Sequence, residues 1–272
     1  MRNVLLVVEY DGSGFHGWQK QPGKRTVQGE LEAALSKVCC EEISLNGASR
    51  TDAGVHALGQ AASFTGGFRI PAERIPMAAR GGVPDIRILS AREMPEGFHA
   101  RFDSVGKTYR YRIREGVDGD VFARNYSYRL NDPLNTFNMK EASKQLIGTH
   151  DFNAFRSAGG APVESAVRTV YDIAIAEEET LDALGRPAKE VSLFVTGNGF
   201  LYNMVRIIAG TLVEVGTGVR APGDIPVILD SGDRRLAGHK APAAGLYLER
   251  VYYGTKEMED GIALARRRLG KG

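Results

Sequence analysis

Met204, Val205, Ile207, Ile208, Ala209, Leu212 and Val213 cover most of the circumference of a single helix. A helix apolar all round must be buried on nearly every side, so structure has to pack on more than one flank of it. Arg206 stands in its middle. A guanidinium cannot lose its proton, and a buried one needs a carboxylate or several carbonyl oxygens as partners. Glu214 is two turns along the same helix, too far for an i,i+4 pair. Asp52, in the run Ser49-Arg-Thr-Asp-Ala-Gly-Val-His56, is the best candidate partner. Asp before Ala-Gly is a common turn-former. The strand-like segment 60–65 that follows sets Asp52 on a loop between strands, where a rigid scaffold presents chemistry. A carboxylate held by Arg50 and Arg206 would stay ionised, available as a nucleophile or base.

The rest of the chain reads as α+β. Residues 4–10 are an apolar, β-branched run, the signature of a buried strand. Gly12-Ser-Gly-Phe-His-Gly17 follows, formally a G-x-G-x-x-G, but Trp18-Gln-Lys-Gln-Pro-Gly23 intervenes before any helix, and Glu30 and Glu32 fall inside that helix. A dinucleotide site is therefore rejected. The helix starts at Thr26, an N-cap, with Val27, Leu31, Ala34, Leu35 and Val38 on one face. Strands are expected at 43–48, 60–65 and 86–90, and a short helix from Pro71. This order describes helices on one face of a largely antiparallel sheet. In Lys107-Thr-Tyr-Arg-Tyr-Arg-Ile-Arg114, Tyr109, Tyr111 and Ile113 face one way and Arg110, Arg112 and Arg114 the other. Such a strand is either half-buried with a solvated basic side, or an RNA surface with rings for bases and cations for phosphates. A helix over 135–147 and a strand pair at 167–176 and 191–196 complete the pattern. Gly197-Asn-Gly-Phe200 echoes Gly12-Ser-Gly-Phe15 after a strand, a hint of duplication.

Composition narrows the function classes. Cys39 and Cys40 are adjacent, and the five histidines are dispersed with no HExxH or Cys/His cluster, so a zinc-dependent deaminase is not expected. The N-terminus meets Glu9 too early for a signal peptide, and no apolar run reaches membrane-spanning length, so a cytoplasmic protein without membrane association is expected. Net charge is only +2, but basic residues with interleaved aromatics concentrate between Arg101 and Arg129 against Asp103, Glu115, Asp118 and Asp120.

With these residues in view, the chain resembles the TruA family of tRNA pseudouridine synthases. The resemblance rests on Glu9-Tyr-Asp-Gly-Ser-Gly-Phe-His-Gly-Trp-Gln19, Arg50-Thr-Asp-Ala-Gly-Val-His56, Phe98-His-Ala-Arg-Phe102, Tyr109-Arg-Tyr111, Asp151-Phe-Asn-Ala-Phe-Arg156, Phe200 to Arg206 and Gly245-Leu-Tyr-Leu248, in that order. Ser49 stands where the family usually has glycine. The resemblance implies isomerisation of uridine to pseudouridine at positions 38, 39 and 40 of the anticodon arm of tRNA, without metal or organic cofactor. It implies a homodimer whose subunits have two similar α+β halves, here 1–104 and 105–272, sharing a sheet with a central basic cleft. By the same resemblance Asp52 is the essential carboxylate, Tyr109 stacks on the uracil and helps remove the C5 proton, and Arg206 orients Asp52. Arg50 fills the space left by the flipped base, and Leu246 packs under it. Lys107, Arg110, Arg112 and the run 266–268 are candidate RNA contacts. A catalytically silent RNA-binding protein or chaperone is the alternative.

Overall fold

The computed structural model describes residues 1–116, 121–160 and 162–267; Asp118, Asp120 and Arg268 lie outside the described residues. The chain divides into two compact units, Met1–Val105 with Tyr247–Gly254, and Gly106–Leu246 with the segment from Thr255 onward.

The first unit is built on strand β1 (Arg2–Tyr10), whose Val4, Leu5, Leu6 and Val8 are buried. Helix α1 (Val27–Cys39) starts where Thr26 caps it by accepting the Gly29 N–H, and it buries Val27, Leu31 and Leu35 at one-turn spacing. Strand β2 is only Asn46–Gly47, followed by β3 (His56–Gly66), the short helix α2 (Ile75–Ala78) and β4 (Ile86–Met94). Both β3 and β4 pair antiparallel with β1.

The expected strand over 43–48 shrinks to β2 because side chains of α1 take its backbone groups. The Ile43 N–H donates to Ser36 Oγ at 2.9 Å and the Leu45 N–H to Glu32 Oε1 at 3.0 Å. Glu32 also receives Lys20 Nζ and Gln28 Nε2, so its buried carboxylate is fully engaged.

The second unit runs β5 (Gly106–Glu115), β6 (Tyr128–Leu130), α3 (Thr136–Lys144), β7 (Gly148–Asp151), β8 (Val167–Leu181), β9 (Pro187–Gly197), α4 (Met204–Gly216) and α5 (Ile225–Ser231). Strands β5, β9, β8 and β7 pair antiparallel in that order, and β6 runs parallel to β5. Helix α4 is buried as its composition requires, with Ile207, Ile208, Ala209 and Leu212 fully enclosed. The chain then returns to the first unit as β10 (Leu246–Tyr252), which runs parallel to β3 with Tyr247 opposite His56. Helix α6 (Thr255–Arg267) belongs to the second unit, where its Ala265 packs with Ala174, Ala176 and Phe194. Its Arg266, a candidate RNA contact, pairs with the buried Asp172. The class is α+β with mixed pairing, as expected. Among the described residues no helix is long and apolar enough to cross a membrane.

Candidate active site

The loop carrying Asp52 is held from several directions inside the first unit. The Trp18 N–H donates to the Thr51 carbonyl at 3.0 Å, and the Thr51 and Tyr10 hydroxyls bond at 2.7 Å. The Val55 N–H closes a turn onto the Asp52 carbonyl at 3.1 Å. On the approach side Gln60 clamps Ser49, its Nε2 donating to the Ser49 carbonyl and its Oε1 accepting the Ser49 N–H.

The two outer glycines of the G-x-G-x-x-G run let this loop pack. A Cβ on Gly12 would stand 2.0 Å from the Val55 carbonyl oxygen. One on Gly17, whose φ of +88° is left-handed, would stand 2.6 Å from the Thr51 oxygen. The motif therefore serves close backbone approach to the Asp52 loop. Its sequence signal was the presence of these glycines with Trp18–Gly23 intervening before the helix.

Sequence reasoning gave no role to His56. Its ring is buried, stacks on Tyr247 with centroids 4.7 Å apart, and accepts the Gly12 N–H at Nδ1 at 3.1 Å. The Asp11 carboxylate is 3.2 Å from the same nitrogen. The stretch from Asp11 to Gly17 and the Asp52 loop are thus joined at both ends. Asp52 is half-buried and Arg50 exposed, so the carboxylate is presented on a braced turn.

In the second unit, Tyr109 is buried and meets Phe200 edge-on at 5.3 Å; Phe200 in turn reaches into the space beside Gly197, where a Cβ would lie 3.2 Å from its ring. Tyr111 and Ile113, on the same face of β5, are wholly enclosed and structural. Lys107 is buried, Arg110 is half-buried, and Arg112 is half-buried and bound bidentate by Glu190 at 2.8 and 2.7 Å.

Arg206 is half-buried and donates to oxygens of its own unit. Nε donates to the Ala241 carbonyl at 2.8 Å and Nη1 to Asn203 Oδ1 at 3.0 Å. Asn203 sits at φ +60° just ahead of α4, a left-handed conformation asparagine tolerates better than most residues. The Ala241 N–H returns a bond to the Arg206 carbonyl, and the Tyr111 hydroxyl donates to the Pro242 carbonyl at 2.8 Å. Burial pushes the Tyr111 phenol well up, against the opposing charge of Arg206, so it remains a protonated donor. Arg206 and Tyr111 therefore clamp residues 241–242, which lead into the buried Leu246.

Glu214, excluded as a partner of Arg206, instead binds Arg220 and His239. Burial pushes its carboxyl up, but bonds from the His239 N–H and ring and from Arg220 outweigh burial and hold it below the usual range.

Arg206→Ala removes its charge-assisted bonds to Ala241 and Asn203 and should destabilise the protein by about 2–4 kcal/mol. Thermal unfolding measures this. An unchanged melting temperature would contradict the clamp, as would full restoration by Arg206→Lys, which lacks the fork that reaches both oxygens.

A cleft of about 610 Å³ in the first unit, bordered by Leu31, Met77, Val83 and Ile88, includes none of these residues. Among the described residues no group of His, Cys, Asp and Glu is arranged to hold a metal ion.

A half-buried carboxylate presented on a braced loop of an α+β scaffold is a setting in which rigid folds commonly carry functional groups. The chain belongs to the tRNA pseudouridine synthase family, whose model matches residues 6–103 and 142–254. It is 48% identical to tRNA pseudouridine synthase A 2 of Clostridium tetani over 93% of this chain and 99% of that protein. It is 44% identical to tRNA pseudouridine synthase A of Acetivibrio thermocellus over 93% of this chain and all of that one. Among solved structures, an archaeal box H/ACA sRNP Nop10-Cbf5 complex covers 97% of this chain and 58% of its own at 13% identity and TM-score 0.37, a likeness too slight to bear on the site.

Proposed function

We propose that this chain isomerises uridine to pseudouridine at positions 38, 39 and 40 in the anticodon arm of tRNA, with Asp52 as the catalytic carboxylate. The observation that carries this reading is the bracing of the Asp52 loop by Gly12, Gly17, Trp18, Tyr10 and Gln60, in a chain of this family. The reaction breaks the bond from uracil N1 to ribose C1′, turns the base and joins C5 to C1′, after which the C5 hydrogen leaves as a proton. Asp52 starts it, either by attacking C1′ or by abstracting a ribose proton.

Tyr109 stacks on the uracil, Leu246 packs beneath it, and Arg206 keeps the carboxylate charged. Arg50, exposed beside Asp52 in sequence, takes the space of the extruded base, since chemistry on a stacked base requires its removal from the helix. Lys107 and Arg110 contribute to the phosphate field, while Arg112 is neutralised by its pair with Glu190 and adds little to it. The enzyme works in the cytoplasm as a homodimer with no metal or organic cofactor.

The test is release of tritium from tRNA carrying C5-labelled uridine, with chelator present and no cofactor added. Release mapped to positions 38–40 supports the proposal. Tight tRNA binding without release would instead make the chain a silent RNA-binding protein. Tyr109→Phe keeps the ring and its contact with Phe200, so tRNA affinity should stay within about twofold while release slows. Affinity lost in that variant would transfer the binding role from ring to hydroxyl.

A further inference from the structure

We propose that the turn at residues 99–102 of the first unit is a stacking platform for an unpaired RNA base, with Arg101 serving the adjoining phosphate. The inference rests on the proposed action on tRNA and assigns a contact to a segment given no role above.

The turn is rigid from beneath. Ala100 is fully buried; its N–H donates to Ser63 Oγ at 3.0 Å, and its carbonyl accepts the Tyr253 hydroxyl at 2.8 Å. The Asn3 amide donates to the Phe98 carbonyl at 2.8 Å, and the Phe98 ring packs on Tyr253. His99 and Asp103 close the turn, the His99 N–H donating to the Asp103 carboxylate at 2.7 Å and the Asp103 N–H to the His99 carbonyl at 3.1 Å. The anion of the segment is thereby engaged.

From above, the same turn is open. Phe102 is 74% exposed. The His99 ring lies 4.3 Å from it, with Nδ1 oriented by the Arg101 N–H, and the exposed Arg101 guanidinium is 5.6 Å from the Phe102 centroid. Single exposed apolar residues are ordinary. Here an aromatic ring is backed by a second ring and flanked by a cation, on a turn whose Ala100 is anchored by hydrogen bonds from beneath. A ring face offers stacking to any base, and a neighbouring guanidinium offers charge to its phosphate. A protein partner would gain the ring but have no comparable use for the cation.

Because Phe102 is exposed, its replacement tests binding without threatening the fold. Phe102→Ala should weaken tRNA binding roughly tenfold or more at an unchanged melting temperature. Phe102→Trp should bind as wild type does and report directly, since the sole native tryptophan, Trp18, is buried and the new indole will be quenched when a base stacks on it. Arg101→Ala should reduce the slope of log affinity against log salt by about one.

A wild type that neither binds tRNA nor releases tritium overturns the proposed function and the platform with it. A wild type that does both while Phe102→Ala binds equally well overturns the platform alone. So does a Phe102→Ala protein whose affinity is unchanged but whose mass in solution falls, which would assign the turn to contact between copies.

Discussion

Asp52→Asn abolishes tritium release from C5-labelled tRNA, by at least about 10³-fold, while tRNA affinity stays close to wild type. The asparagine keeps the shape of the side chain but is neither a nucleophile nor a base, and removing a group of that kind costs orders of magnitude in turnover. The fold should tolerate the exchange. The loop is held by the Thr51 carbonyl and hydroxyl, the Ser49 backbone and the Val55 turn, none of which uses the Asp52 carboxylate. Its melting temperature should move by no more than about 3 °C. Release that survives in the variant would mean that a different carboxylate performs the chemistry. Lost release accompanied by lost tRNA binding would mean the substitution had damaged the surface instead.

Gly12→Ala and Gly17→Ala should each destabilise the protein by about 2–4 kcal/mol and slow turnover on the order of 10–100-fold. At Gly12 the new methyl meets the Val55 backbone, with the carbonyl carbon at 2.5 Å as well as the oxygen at 2.0 Å, so the loop itself has to move. At Gly17 the added methyl meets the Thr51 oxygen and also makes the left-handed backbone unfavourable. Moving a catalytic loop by about an ångström is enough for the expected loss of rate. Gly14→Ala is the control: its methyl would meet only the flexible end of Arg25, at 3.0 Å, and both stability and turnover should remain near wild type. Thermal unfolding and the tritium assay read all three. Equal damage at the three positions would indicate a motif that binds a ligand as a whole, as in a dinucleotide site; damage at the outer two alone indicates packing against the Asp52 loop.

These glycines show where reading a sequence stops. The pattern was visible, and the absence of a directly following helix excluded the nucleotide site, but the backbone that approaches Gly12 is Val55 and that approaching Gly17 is Thr51, each more than thirty residues along the chain. Local spacing carries no record of such an approach. The same holds for 43–48, whose composition suits a strand; the competing acceptors, Ser36 and Glu32, are on α1 and become visible only when that helix is placed. His56 illustrates a third case, since a lone histidine after Asp-Ala-Gly-Val has no local partner, and its bond to Gly12 and stack on Tyr247 join segments far apart in the chain.

What the sequence determined by itself were the features set by local periodicity and chemistry. The all-apolar circumference of α4 demanded burial, Thr26 marked the start of α1, alternation in 107–114 made a strand with its rings on one face, and the Arg-Thr-Asp-Ala-Gly-Val-His run placed Asp52 on a turn. Each depends on residues within a few turns or pleats of one another. Only the tertiary structure decided that 247–254 return to the first unit as a strand parallel to β3, that the outer glycines of the early motif are cut to fit the Asp52 loop, and that Arg206 fastens residue 241 by its carbonyl oxygen and Asn203 by its side-chain amide oxygen. Those outcomes depend on which distant backbone groups and side chains come within hydrogen-bonding or van der Waals distance. That choice is made by the packing of the whole unit, where a buried polar group takes whichever partner the fold brings to it.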